Sequence, residues 1–547
     1  MNMELLPPSV RSRGRPRHSF TAAIILLAAG LALTGCAGGT ALGRDAGTVV
    51  IGSEGEIPPL DPHRLNGTVG LRLIDALYDP LVREDLSKTS DRAPALVPGL
   101  AQSWTTSADA RTHTFTLRPG VLFADGTAFD ADAVKVNFAR IMDKSSPVYD
   151  KTAAGNMSFL TRWIDTVSTP DASTVVLKLK EPYAAMPRLL TDRRMSIISP
   201  AALKQIGGDE IGLKPVGTGS FSVQSFEQGK RLDLRPNPKF WGGKPRAAKI
   251  IIEAVTDPTT LAIAAQTGEV DAILSAGAQQ VKQFQHNDIM AVQYPDPANQ
   301  YFIRLNTRIA PTSRPEFRQA LNYAIDRAAI ARLTGGQAAP STHPIPKGNE
   351  AYDASTRQGA GYSHDPGKAR RLLAESGVAT PVRLRVLSPN SGPGFTQATE
   401  IMSLIQQDLK AIGVELDVQY MEFASLLAQE GPGYPDGVHG SFNGWTTGAA
   451  SADFLERMFS GKLVPPGGVN RGWYRNGRVD ALFDQARGER DDAERFSLYR
   501  RAGDLIAGDA PWVFLYQDRL PRLLNREVTG VVPATSVYID YTTLGRR

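Results

Sequence analysis

The chain has 547 residues, 42% of them hydrophobic and 21% charged, with 51 Gly and 38 Pro. That mix excludes a collagen-like, coiled-coil or wholly disordered protein, and the length calls for two or more lobes rather than one core. The net charge of +5 is concentrated at the amino end, where Arg11, Arg13, Arg15 and Arg17 face only Glu4. The remainder is close to neutral, which argues against the clustered positive charge of a nucleic-acid binder.

The arginines precede an apolar run from Phe20 to Leu33, about 14 residues, short of the roughly 20 that span a bilayer. Residues 1–36 are therefore expected to be a signal peptide. Leu33-Thr34-Gly35-Cys36 resembles the bacterial lipobox, in which the cysteine is acylated and becomes the first residue of the mature protein. Cys36 is the expected lipidation site and the expected attachment to the membrane. It is also the only cysteine, so the exported protein can form no internal disulfide. Residues 37–47, rich in Gly, Ala and Thr, form the expected flexible tether. No later segment reaches 18 apolar residues, so the body is expected to be extracytoplasmic and soluble.

Along the body both periodicities are legible. His113, Phe115 and Leu117 alternate with threonines, and Val175, Leu177 and Leu179 with polar neighbours, as in half-buried strands. Phe317, Leu321, Ala324, Ile325 and Ala328 share one helical face that predicts a helix stopping at Gly335-Gly336. Asp365-Pro366 opens another as cap and first turn. Ile401, Leu404, Ile405, Leu409 and Ile412 make a helix that passes through Gly413 into the alternating strand Val414, Leu416, Val418, Tyr420. The last helix carries Leu498, Tyr499, Ala502, Leu505 and Ile506 and ends before Pro511. Helices leading into strands predict a layered α/β protein.

Chemistry-bearing motifs are scarce. The seven histidines are scattered, none three or four residues from another, and neither HExxH, GxSxG nor GxxxxGK[ST] occurs. Gly217-Thr218-Gly219-Ser220 lacks the lysine of a phosphate loop and is expected to be a tight turn. No catalytic residue, metal or cofactor is expected.

A series of segments carries a resemblance. Leu100-Ala101-Gln102-Ser103-Trp104, Thr114 to Phe123, Asp125-Gly126-Thr127, Val216 to Phe221, Asn237 to Pro245, Gln266 to Asp271, Leu305-Asn306-Thr307, Arg318 to Arg327 and Asp509 to Val513 together resemble the family 5 extracellular solute-binding proteins of bacterial ABC importers, the peptide, nickel and opine class. The resemblance implies a two-lobed, periplasmic-binding-protein-like (Venus flytrap) α/β fold. By it, lobe I spans 48–300 with an accessory subdomain at about 86–206, lobe II spans 301–513, and residues 514–547 return to lobe I. It also implies a monomer that closes on a peptide or other small ligand and serves an ABC permease with its ATPases. The same fold binding an opine, a glycoside or a metal chelate is the alternative, and an exported lipid-anchored hydrolase is the rival class.

By the same resemblance one wall of the ligand site falls on Ser53, Glu54 and Gly55, with Glu56 following. The other falls on Asn443, Gly444, Trp445, Thr446 and Thr447, and Tyr516 is a third candidate. Peptide binders of this family often carry an Asp three residues after the Trp, to pair the ligand's ammonium; here that position is Gly448. A buried ammonium without a partner is costly, so Glu54, Glu56 or Asp453 must serve, or the ligand lacks an amine there. The lipobox makes the first prediction. Cys36→Ser should accumulate as an unlipidated precursor, and normal processing with membrane retention of that variant would contradict the assignment.

Overall fold

The computed structural model describes residues 47–353, 356, 361–391, 395, 397–446 and 449–547. The signal segment, Cys36 and most of the tether lie outside the described residues, as do Thr447 and Gly448. Among the described residues no helix is long and apolar enough to cross a membrane.

The body is organised by two large sheets. Strand Thr48–Ser53 is buried along its whole length, as a strand covered on both faces must be. Val49 and Ile51 enter one core, while Val50 enters another on the opposite face. Its neighbours Lys249–Ala254 and Ala272–Ile273 run parallel to it. The seven-stranded sheet is completed by Phe221–Glu227, Arg231–Pro236, Met290–Gln293 and Arg522–Asn525.

The second sheet has six strands. At its middle Gln300–Leu305 runs antiparallel to both Gly440–Trp445 and Trp512–Asp518. The helix-to-strand unit predicted around Gly413 is present as helix Ala398–Lys410 and strand Val414–Glu422. Gly413 sits between them at φ +84°, a left-handed turn that a side chain would strain. The chain passes between the sheets twice, at 294–299 and at 519–521. The expected return at residue 514 falls inside Trp512–Asp518, whose pairing to Tyr301–Arg304 keeps it in the second sheet. The chain re-enters the first sheet at Arg522.

A separate four-stranded antiparallel sheet holds Ala101–Thr106, Thr112–Leu117, Ile164–Asp171 and Thr174–Leu179. Thr112–Leu117 alternates between half-buried and buried positions, as its sequence required. Phe115, Leu117, Val175 and Leu177 share a core with Phe138 and Ile141 of helix Ala131–Met142. Asp130 caps that helix by accepting from Ala133 N.

One predicted helix is two. Pro315–Ala324 and Arg327–Leu333 are separated at Ile325, because Asp326 caps the second helix through Ala329 N. The buried Arg327 guanidinium then donates to the carbonyls of Asn322, Ser341, Phe514 and Tyr362. At Gly219 an added Cβ would meet the Leu77 carbonyl carbon at 2.4 Å and the Ala76 oxygen at 2.5 Å. Close backbone packing therefore explains the glycine, in keeping with a turn rather than a phosphate loop.

In the second core Trp512 is 2% exposed and stacks on Phe302 at 3.4 Å between ring centroids. Removing that ring leaves a cavity, so Trp512→Ala should lose roughly 3–5 kcal/mol of unfolding free energy. Chemical denaturation would measure it; a loss below about 1 kcal/mol would mean the site collapses freely.

Candidate functional site

A cavity of about 70 Å³ lies where all three sheet-bearing bodies and one crossing segment meet. Glu84 and Ser536 come from the region packed on the first sheet, and Arg188 and Asp192 from the segment that follows the four-stranded sheet. Pro297 and Ala298 belong to the crossing, and Thr446, Ser451 and Arg457 to the second-sheet body.

Its charges are held by partners. Arg188, 7% exposed, donates to Glu350 at 2.8 Å, to Glu84 at 3.4 Å and to the Pro94 carbonyl at 2.6 Å. Ser536 Oγ donates to the other Glu84 oxygen at 3.0 Å. Arg194 grips Asp192 through two hydrogen bonds of 2.9 and 2.6 Å. Burial would raise the Asp192 carboxyl, but Arg194 holds it below the usual carboxylate range. Arg457 lies 3.5 Å from Asp453, which accepts from Tyr183 OH at 2.5 Å. Burial and the Asp453 charge push the Tyr183 phenol well above its ordinary value, so it stays a donor.

Further contacts tie the four-stranded body to the second-sheet body. Arg487 donates to Glu181 at 2.8 Å and to Glu456 at 3.1 Å, and its carbonyl accepts from Ala184 N at 2.9 Å. Its guanidinium also lies over Trp163, which stacks on Tyr183. The contacts therefore run through both charge and aromatic surface.

The residues nominated from sequence are divided among different surroundings. Thr446 lines the cavity. Trp445 is half-buried beside Phe454, with ring centroids 6.4 Å apart. Asn443 donates to Glu430 and Ser441. Burial would raise the Glu430 carboxyl, but Arg304 and Arg471 hold it low. Gly444 is a glycine because a Cβ there would meet the Tyr301 ring at 2.5 Å, and Tyr301 in turn stacks on Tyr516 at 4.7 Å. Ser53 and Glu54 line a separate cavity of about 20 Å³. Ser53 Oγ donates to the Gly55 carbonyl, and Glu54 lies 3.5 Å from Arg72, which also donates to the Val537 carbonyl. Val537 lines the larger cavity, so this wall reaches it only through Arg72. Arg188, Glu84, Asp192 and Arg457 were not nominated. The available signal was the set of charges Arg188, Asp192, Arg193 and Arg194 inside the mostly apolar segment 183–198, since a buried charge needs a partner. Among the described residues no group of three or more His, Cys, Asp or Glu is placed to hold a metal ion.

Residues 95–462 match the family described as "Bacterial extracellular solute-binding proteins, family 5 Middle". The chain belongs to that family. This solute-binding protein is 32% identical over 93% of its length to the glutathione-binding protein GsiB of Pectobacterium atrosepticum, covering 96% of that relative. Its fold is similar to that of HbpA2 from Haemophilus parasuis, with TM-score 0.80, 24% identity and coverage of 91% and 100%. It is also similar to AgaA from A. tumefacien R10, whose structure holds agropinic acid, with TM-score 0.73, 26% identity and coverage of 90% and 96%. The protein is thus the non-enzymatic substrate-binding component of an ABC importer, of an extracytoplasmic family.

Glu456, 3% exposed, connects this region to pH. Burial pushes its carboxyl from 4.5 up to about 7, against the pull of Arg487. Between those values the folded protein keeps a proton that the unfolded chain has released. The stability this contributes is present at low pH and is lost as pH rises through about 7. The unfolding free energy of the native protein should therefore fall relative to Glu456→Gln between about pH 5 and pH 8. Parallel profiles for the two proteins would contradict the protonated state.

Proposed function

We propose that the protein is anchored by a lipid on Cys36, captures a peptide-like solute by closing two lobes on it, and delivers it to a membrane permease. The lobes are the bodies built on the seven- and six-stranded sheets, with the four-stranded sheet as an accessory part of the first. The hinge is the pair of crossings. Each contains one non-glycine residue in the left-handed region, Asp296 at φ +46° and Leu520 at φ +44°, where backbone strain concentrates.

The observation that carries this reading is the cavity itself, bounded by both large bodies and by a crossing. A ligand touching both lobes binds the closed state more tightly and shifts the population toward it. Thr446 contacts the ligand in this reading and Trp445 supports it from the half-buried end of its strand, whereas Tyr516 acts through its stack on Tyr301. Ser53, Glu54 and Gly55 act through Arg72. GsiB is named for glutathione, a peptide with carboxylates, and that relative favours the peptide class. An opine is the second reading, favoured by AgaA and by the stretch Gly448 to Ala452, which holds no acid to meet an ammonium.

Glutathione is the probe for the test. Saturation with it should reduce the radius of gyration in small-angle scattering. Compaction with agropinic acid but not with glutathione or short peptides would move the assignment to the opine class. An unchanged radius at calorimetrically proven saturation would overturn the hinge mechanism.

A further inference from the structure

A second concavity, of about 730 Å³, lies beside the first and is open to solvent. One side comes from the four-stranded body, with Trp104 on strand Ala101–Thr106; the other comes from helix Asp492–Asp509, with Arg495 and Phe496. Arg188 lines both this concavity and the smaller cavity. Its two carboxylate partners divide between them, Glu84 lining the inner space and Glu350 the outer. The Arg188–Glu350 pair, at 2.8 Å, is thus a partition between two chambers.

The outer chamber is both apolar and cationic. Trp104 and Phe496 are half-buried walls, with Ala184 and Pro187 among the floor residues. Arg92 and Arg490 are exposed at its edge. Arg495 is 6% exposed; its guanidinium donates to Asp492 at 2.5 Å and to the Glu489 carbonyl at 3.1 Å. Its buried Nε makes no hydrogen bond in this structure, and such a buried donor is costly to leave unmet. Four arginines thus face two acids, Glu350 and Asp492, an excess that attracts an anion. Aromatic walls beside a few convergent polar groups are the composition of a small-molecule site.

We propose that the outer chamber is a second subsite of the same cleft, taking an apolar or aromatic arm that ends in a carboxylate, while the other end of the ligand lies in the inner cavity. The occupant is a ligand arm rather than a partner protein because the chamber shares its Arg188 wall with the ligand cavity and carries the complementary charge. This inference rests on the peptide reading above. It makes the protein a binder of elongated, acidic peptides or peptide conjugates, with Arg188 displaced toward one or other acid as the ligand threads past.

Calorimetric titrations of the purified protein would compare Ala-Ala-Ala with Ala-Ala-Ala-Phe-Glu, Glu-Phe-Ala-Ala-Ala and the two counterparts bearing Lys in place of Glu. One Glu-bearing pentapeptide should bind about tenfold or more tightly than the tripeptide, the worth of one well-placed charged contact, and its Lys counterpart should lose that gain. In the double variant Arg92→Glu, Arg490→Glu, both exposed positions, the ratio between pentapeptide and tripeptide should return to about one; Trp104→Ala should reduce it as well. Equal affinity for all five peptides, or a Lys preference, overturns the arm subsite and leaves the peptide reading standing. A gain that survives the double variant places the arm elsewhere and also overturns it. Binding of none of the peptides sinks the peptide reading, and this inference with it.

Discussion

Arg188 is the constraint on which the rest of the arrangement depends. Its buried guanidinium joins Glu84, on the first-sheet side, to Glu350, on the second-sheet side, and to the Pro94 carbonyl. With one cysteine in the chain, no disulfide can hold these bodies together. Removing one partner of a buried pair costs about 3–5 kcal/mol, whereas an exposed pair such as Lys214–Glu210 is worth about 0–1 kcal/mol. The energetics of the meeting point are therefore concentrated in a few buried groups. The many surface pairs contribute little.

That concentration suits a binding protein better than an apolar seam would. Apolar surfaces associate without directional requirement, whereas charged groups that must be desolvated associate favourably only when partners meet them. Tyr183–Asp453, Arg188–Glu350 and Arg487–Glu181 all cross between bodies, so mutual alignment of the bodies is specified to within hydrogen-bond tolerance. The cavity is small and the outer chamber large, and Arg188 lines both.

The crossings connect the two large sheets through a few specific contacts. Asn299 donates through Nδ2 to the Asp518 carbonyl and accepts through Oδ1 from Asp518 N, tying one crossing to the strand that leads into the other. Asp296 receives Lys347 and Arg519. Burial pushes the Asp518 carboxyl up to about 6. The left-handed backbones of Asp296 and Leu520 lie within a few residues of these contacts.

Local physics made much of this fold legible in sequence. Alternation in Thr112–Leu117 and the cap at Asp365 depend only on neighbours within a few residues, and so does the glycine turn at Gly413. The ordered family segments carried the resemblance, and with it the expectation of a mixed α/β binding-protein fold. What sequence could not supply was which faces meet across hundreds of residues. Asn443 and Thr446 sit three residues apart, yet one is committed to Glu430 and the other lines the cavity. Thr446 lies just past the end of strand Gly440–Trp445, and only the sheet's placement says where that end meets the cavity. The helix break at Ile325 likewise rests on a cap choice that competes with an apolar face continuous in sequence. Charges such as Arg188 and Glu350 are 162 residues apart, and nothing in their local surroundings announces a pair; tertiary structure alone brought them within hydrogen-bond reach, since a buried charge is stable only where the fold delivers its partner.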